Sequence, residues 1–136
     1  MIEVQGLSIR AGDFALQDVS FQVDTGQYAV LMGRTGRGKT TILEAICGLR
    51  CLAAGTIAID RVNVTDWLPG DRQIGYVPQD AVLFPTMNVS QHLEFGLRLR
   101  KASRKVCQQR SAAMASLLGI DHLLARSVKG LSGGES

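Results

Sequence analysis

Long apolar runs are absent from this sequence of 136 residues. The best continuous stretch, Tyr28–Met32, is far shorter than the ~18 residues that a membrane-spanning helix needs, and no basic segment followed by an apolar one opens the chain. A strong charge imbalance is also missing. The 15 Lys and Arg against 12 Asp and Glu leave a net charge of +3, too little to indicate a nucleic-acid-binding protein. With 46% hydrophobic and 20% charged residues, we expect a folded domain with neither a transmembrane helix nor a secretory signal.

Cysteine and histidine are scarce. The three cysteines are odd in number, and the spacing of Cys47 and Cys51 matches no zinc or redox pattern. This excludes a disulfide scaffold and predicts small buried or semi-buried thiols in a reducing cytoplasm. His92 and His122 lie far apart in the chain with no further ligands at metal-binding spacing, so we expect no metal centre built on them.

Strand patterns occupy the first quarter of the chain and return later. Apolar and polar residues alternate at 2–9 and 20–24, and again at 56–64, which predicts strands and a short hairpin. The uninterrupted apolar run Tyr28–Met32 is typical of a strand buried on both faces of a parallel sheet. Gln73–Val77 predicts another strand, which ends at Pro78.

Three segments show helical periodicity. The first begins near Gly38 and presents one apolar stripe. Asn88 followed by Gln91 predicts a capped helix start, and a further helix is predicted for Ser103–Leu118. Six basic residues lie between positions 98 and 110, and we interpret them as a solvated helical face in preference to a binding patch.

Glycine is above its usual share, with 15 residues, and the excess is concentrated at 33–38 and 130–134. The first cluster belongs to the segment Gly33-Arg34-Thr35-Gly36-Arg37-Gly38-Lys39-Thr40, which fits G-x-x-x-x-G-K-[ST] at every fixed position. Glycines let a backbone curl around a polyphosphate with its N–H groups aimed inward, and a following helix adds its positive N-terminus. Lys39 would reach the β- and γ-phosphates, and the Thr40 hydroxyl would bind Mg²⁺. The segment therefore predicts a nucleoside triphosphate site, without deciding among GTPases, small-molecule kinases, RecA-like ATPases and transporter motors.

Two further motifs choose among these classes. Tyr76-Val77-Pro78-Gln79 places an amide at the end of a predicted strand, and Leu131-Ser132-Gly133-Gly134-Glu135 follows later in the chain. The three motifs in this order resemble the ATP-binding-cassette (ABC) family, the motor subunits of ABC transporters. The resemblance covers the whole chain, and its details are most similar to importer motors that serve oxyanions such as molybdate, tungstate or sulfate.

The resemblance implies ATP and Mg²⁺ as cofactors and assigns roles to individual residues. Lys39 and Gln79 would act in catalysis, and Thr40 and Gln79 would hold Mg²⁺ and its attacking water. Ser132, Gly133 and Gly134 would contact the γ-phosphate of ATP held by a second subunit, in a head-to-tail dimer. The expected nucleotide-binding residues of the loop itself are Gly33, Arg34, Thr35, Gly36, Arg37, Gly38, Lys39, Thr40 and Thr41.

The implied partners are a membrane permease and a second nucleotide-binding subunit, with no nucleic acid, at the cytoplasmic face of the membrane. The helical stretch after Gln79 would dock on the permease. The apolar loop Ala81–Met87 would make this contact, or would be buried within the subunit.

The implied fold class is α/β. It comprises a P-loop NTPase (RecA-like) parallel sheet, N-terminal antiparallel strands and a small helical subdomain, truncated before the acidic and switch-histidine strands. We expect residues 1–136 to form an incomplete nucleotide-binding domain. Its parts would be a β-rich core with the loop (1–79), a helical subdomain (80–130) and the signature motif (131–136).

Two features depart from the family pattern. Ala11 stands where an aromatic residue usually stacks on adenine, and Phe14, three residues later, is the expected substitute. No carboxylate motif in these 136 residues replaces the family's acidic strand, its adjacent glutamate or its switch histidine. Beside an ATPase that powers import, the alternative is therefore a nucleotide-binding or interaction module that does not hydrolyse ATP alone and pairs with an intact motor.

Overall fold

The computed structural model describes residues 1–12, 14–79, 83–129 and 131, and divides the chain into two compact units, Met1–Tyr76 and Val77–Ser136. The first unit contains an antiparallel sheet and one helix, and the second contains helices.

The sheet of the first unit has four strands in the order β2-β1-β3-β4: β1 (Ile2–Ala11), β2 (Phe14–Val23), β3 (Ala54–Ile59) and β4 (Val62–Asn63). All pairs between neighbours are antiparallel. These strands confirm the alternating patterns of the sequence. The register shifts between Val4 and Leu7, where Gly6 takes a φ of +58°, so both apolar side chains face the core despite their odd spacing.

Helix α1 (Lys39–Ile46) packs on this sheet and confirms the predicted helix start near Gly38. Its residues Ile42, Ala45 and Ile46 are buried in one core with strand residues such as Leu7 and Ile57. Burial of this apolar stripe fixes α1 on the sheet, and through α1 it fixes the glycine-rich loop that precedes the helix.

The predicted strands Tyr28–Met32 and Gln73–Val77 are wrong for the structure in hand, because neither segment forms a strand. Neither has a ladder partner in the described ranges, where every sheet pairing is antiparallel, and Gln73 has a φ of +56°. A buried parallel strand needs a neighbour on each side, which local sequence does not supply. Tyr28 and Met32 are accordingly 92% and 84% exposed.

The second unit contains α2 (Val89–Leu99), α3 (Arg104–Leu118) and a 3₁₀ turn at Asp121–Leu123. Both predicted helices are confirmed, as is the predicted cap of α2 at Asn88. The Asn88 side chain accepts from the Gln91 amide at 2.8 Å while the Gln91 side chain accepts from the Asn88 amide at 2.8 Å. Ser103 caps α3 by accepting from the Val106 amide.

Candidate phosphate-binding site

The glycine-rich loop, residues 33–40, leads directly into α1. Gly36 and Gly38 have φ values of +77° and +86°, in the left-handed region that residues with a Cβ seldom adopt. Gly38 is also the N-cap of α1 and supplies no side-chain cap, so the loop needs glycine here for its backbone path.

The backbone amides of the loop are available to a ligand. Within residues 33–41, all of which the structure describes, only the amide of Arg37 donates to a backbone carbonyl. Its acceptor is the carbonyl of Arg34, at 3.3 Å. The amides of residues 39–41 lie in the first turn of α1, where a helix offers no internal acceptor. Such amides, together with the positive end of the helix dipole, are the donors that an anion requires.

The Lys39 ammonium group lies across the loop. Its Nζ donates to the carbonyl oxygens of Gly33 at 2.8 Å and Arg34 at 3.0 Å. Arg34 and Arg37 are exposed, and no acidic residue stands in the first turn of α1. The loop therefore combines a cation with unpaired amides, an arrangement suited to a polyphosphate.

Phe14 and Leu16 of β2 pack against the loop at Gly38. A Cβ at Gly38 would lie 2.7 Å from Phe14 Cζ and 2.8 Å from Leu16 Cδ1, distances that leave no room for a methyl group. The structure thus brings Phe14, the expected adenine-stacking residue, beside the start of α1. Thr40 and Thr41 belong to the first turn of α1, with Thr40 exposed and Thr41 half-buried.

Arg72 holds the opposite end of α1 and was not singled out by the sequence. Its buried guanidinium donates to the carbonyls of Ala45 at 2.8 Å and Ile46 at 3.0 Å, and to those of Thr65 and Trp67 in the loop after β4. A cation at a helix C-terminus is stabilising. The sequence marks this helix end by Gly48. The amides of Gly48 and Leu49 donate to the carbonyls of Ala45 and Glu44, respectively, and form a Schellman motif. No residue near Arg72 in the sequence predicts its bonds to the helix end.

Burial changes the pKa of Arg72 and of the neighbouring Cys47. It raises the pKa of the Cys47 thiol, an effect that the Arg72 charge partly offsets, and it lowers the pKa of the Arg72 guanidinium. All three cysteines are free thiols. Cys47 and Cys107 are buried, as the sequence predicts, whereas Cys51 is exposed because it lies in the loop between α1 and β3.

Gln79 lies in the second unit, with its side chain exposed. His92, a residue to which sequence reasoning gave no role, binds the chain at Phe84. Its Nε2 accepts from the Phe84 amide at 2.8 Å, its Nδ1 lies 3.0 Å from the Asn88 carbonyl, and its ring stacks on Phe84. These bonds require the tautomer with the proton on Nδ1.

The predicted signature residues Ser132, Gly133 and Gly134 lie outside the described residues, as do Asp80 and Ala81. The chain ahead of the signature is tied to the start of α2, where the amides of Val89 and Ser90 donate to the carbonyls of Arg126 and Leu124. Within residues 1–12, 14–79, 83–129 and 131, no three His, Cys, Asp or Glu residues gather as metal ligands. In the same ranges no helix combines the length and hydrophobicity needed to cross a membrane.

Comparison with known proteins agrees with this geometry. Residues 16–136 match the family model described as ABC transporter. The chain is 39% identical over 135 residues to the molybdate/tungstate import ATP-binding protein WtpC of Pyrococcus abyssi, covering 99% of this chain and 39% of that protein. It is 33% identical to the maltose/maltodextrin import ATP-binding protein MalK of Klebsiella aerogenes, covering 98% of this chain and 46% of that protein. The chain thus spans less than half the length of these relatives.

Solved structures show the same fold. An ATP-binding subunit of an ABC transporter superposes with a TM-score of 0.84 at 27% identity, over 97% of this chain and 56% of that one. A dimeric ATP-binding cassette in a post-hydrolysis state, bound to ADP and Pi, superposes with a TM-score of 0.86 at 23% identity, over 99% of this chain and 65% of that one. The fold class expected from the sequence, that of the ABC P-loop domain with an antiparallel N-terminal sheet, is confirmed by these matches, and the chain belongs to the ABC transporter family.

Proposed function

We propose that this chain binds Mg²⁺ and ATP through residues 33–41 and forms the nucleotide-binding part of an ABC importer. The observation that carries the proposal is the combination of unpaired loop amides with the Lys39 ammonium group that lies across the same loop. Amides of this kind bind a phosphate chain, and the ammonium would exchange its two carbonyl partners for β- and γ-phosphate oxygens.

The residues present fit the cofactor. Thr40 follows Lys39 on the first turn of α1 with its side chain exposed, where a hydroxyl serves as a Mg²⁺ ligand in P-loop proteins. Gln79, also exposed, is proposed as the second ligand and as the residue that orients the attacking water. Bound Mg²⁺ would neutralise charge on the phosphates.

Phe14 is proposed as the residue that supports the adenine. Its ring packs against Gly38, so an aromatic surface stands beside the loop that would hold the phosphates. Aromatic stacking on a base is worth about 1–3 kcal/mol in nucleic-acid complexes, and we expect a contribution of this kind here.

The proposed partners are a membrane permease and a second copy of the cassette, at the cytoplasmic face of the membrane. The relatives are named as import ATP-binding proteins, and one structural neighbour is a dimer. Because these relatives are named for different solutes, molybdate or tungstate in one case and maltose in the other, the proposal is an importer and not a particular solute. Ser132, Gly133 and Gly134 would complete the site of the partner copy.

A nucleotide titration tests the central step. Lys39→Met removes the ammonium group, and because a hydrogen bond to a charged group is worth about 1.5–3 kcal/mol, we expect ATP to bind roughly 10- to 150-fold more weakly. The control is Lys129→Met, which removes an exposed cation of the second unit and should leave the affinity unchanged. Binding is followed with a fluorescent ATP analogue in the presence of Mg²⁺.

Equal affinities for the wild type and Lys39→Met would overturn the assignment of the loop. Phosphate release in the same samples separates the two expected activities. Turnover that is lost in Lys39→Met indicates an ATPase, and binding without turnover indicates the nucleotide-binding module.

A further inference from the structure

Four cations gather where α2 passes into α3: Arg100, Lys101, Arg104 and Lys105, here called the hairpin tip. All four are exposed. Lys101 has a φ of +57° and follows the C-cap of α2, a position that glycine usually takes. The amides of Lys101 and Ala102 donate to the carbonyls of Arg98 and Leu97, respectively, and form a Schellman motif. The backbone therefore holds the hairpin tip in a defined turn.

The hairpin tip has no acidic partner in the described part of the chain. The ion pairs of that part join the chain N-terminus to Asp60, Arg50 to Glu44, and Arg98 to Glu94, and none includes these four residues. No Asp or Glu occurs in the sequence between Glu94 and Asp121. The positive field of the hairpin tip is thus uncompensated over more than twenty residues of sequence.

Two of the four cations lie at the positive end of a helix dipole, where a positive charge is unfavourable. Arg104 and Lys105 form the start of α3, whose first turn contains no acidic residue. A helix N-terminus already carries partial positive charge, so cations there disfavour the folded state unless an external anion compensates them. This placement favours a binding surface over the solvated face expected from the sequence.

We propose that the hairpin tip binds the anionic headgroups of a phospholipid membrane. The surface combines Lys and Arg with the adjoining Leu99, an apolar side chain that is 68% exposed. Clusters of four or more cations attract anionic lipids, and an exposed apolar neighbour adds contact with the interfacial region. The inference rests on the proposed function as an importer subunit, which places the chain beside a membrane.

The full chain is mixed with sucrose-loaded vesicles, of phosphatidylcholine alone or with added phosphatidylglycerol, and the pelleted fraction is measured. The tip variant carries Arg100→Gln, Lys101→Gln, Arg104→Gln and Lys105→Gln. The control variant removes the same charge elsewhere, through Arg10→Gln, Arg61→Gln, Arg110→Gln and Lys129→Gln, so both variants change from a net charge of +3 to −1. Circular dichroism and the ATP titration are run on both variants.

We expect the wild type to bind the anionic vesicles and not the neutral ones, with binding that weakens as salt is raised. Each cation near an anionic surface contributes about a fivefold factor in partitioning, so the tip variant should lose binding by on the order of several hundredfold while the control variant retains most of it. Unchanged ATP binding in the tip variant supports a separate role for this surface.

Equal losses in the tip and control variants would overturn the proposal, because net charge alone would then explain binding. It is also overturned if the wild type ignores anionic vesicles, or if it binds poly-glutamate in their place, which would indicate an acidic protein partner. ATP binding that persists in these cases leaves the proposed function intact, and lipid binding without ATP binding would remove the proposed function alone.

Discussion

Gly38 is constrained in two independent ways. Its φ of +86° disfavours any side chain, and the rings and methyl groups of Phe14 and Leu16 occupy the space that a Cβ would enter. Gly36 shares the first constraint, with a φ of +77°, but has no atom within 4 Å of the same position. Gly36 and Gly38 therefore share a backbone constraint and differ only in the space available to a side chain.

Alanine substitutions separate these constraints. Gly36→Ala should cost about 1 kcal/mol through backbone strain, whereas Gly38→Ala adds overpacking against β2 of about 1–3 kcal/mol. We also expect weaker ATP binding in Gly38→Ala, because the start of α1 must shift away from Phe14. Urea unfolding and the ATP titration measure the two effects, and equal stabilities of the two variants would contradict the packing argument.

At the scale of elements, the helices were predictable and two strands were not. The cap residues Asn88 and Ser103 act on amides within three positions of themselves, so the sequence contains the whole interaction. The segments 28–32 and 73–77 carry strand composition, but a parallel strand is made by its neighbours and not by its own residues.

The candidate site likewise combines features that the sequence predicts with contacts that it does not predict. The glycine pattern and Lys39 follow from a contiguous motif, and their local geometry agrees with it. The contact between Phe14 and Gly38, and the bonds from Arg72 to Ala45 and Ile46, join residues that are more than twenty positions apart. No periodicity or spacing reports such contacts, because they depend on how the sheet and α1 pack.

Arg72 should be required for the stability of α1 and its loop. Arg72→Met keeps an unbranched apolar stem but leaves the carbonyl oxygens of Ile46 and Thr65 without donors, so we expect the free energy of unfolding to fall by about 2–4 kcal/mol. Trp67, the single tryptophan, lies in the first unit and reports unfolding in urea through its fluorescence.

The matched control is Arg50→Met. Arg50 pairs with Glu44 at 2.8 Å but is exposed, and exposed ion pairs contribute little, so its loss should leave the unfolding midpoint nearly unchanged. Similar midpoints for the two variants would show that the Arg72 bonds do not stabilise the helix end.

At the scale of the whole molecule, the two units differ in net charge. Residues 1–76 contain 7 Lys and Arg against 8 Asp and Glu, and residues 77–136 contain 8 against 4, so the units carry −1 and +4. The first unit also exposes a contiguous apolar segment, in which Tyr28, Val30 and Met32 are 92%, 63% and 84% exposed. The two units therefore present surfaces of different charge to partners.

The exposed segment 28–32 predicts association of the isolated chain. Backbone groups without ladder partners, combined with exposed apolar side chains, favour pairing between molecules, so we expect oligomers that increase with protein concentration. Val30→Lys should shift the distribution toward monomer in sedimentation velocity experiments, because a charged side chain opposes strand pairing. Leu117→Lys, which alters a side chain of α3 that is 79% exposed, provides the control and should leave the oligomers unchanged. A wild-type chain that stays monomeric at all concentrations, or equal effects of the two lysines, would show that this segment does not drive association.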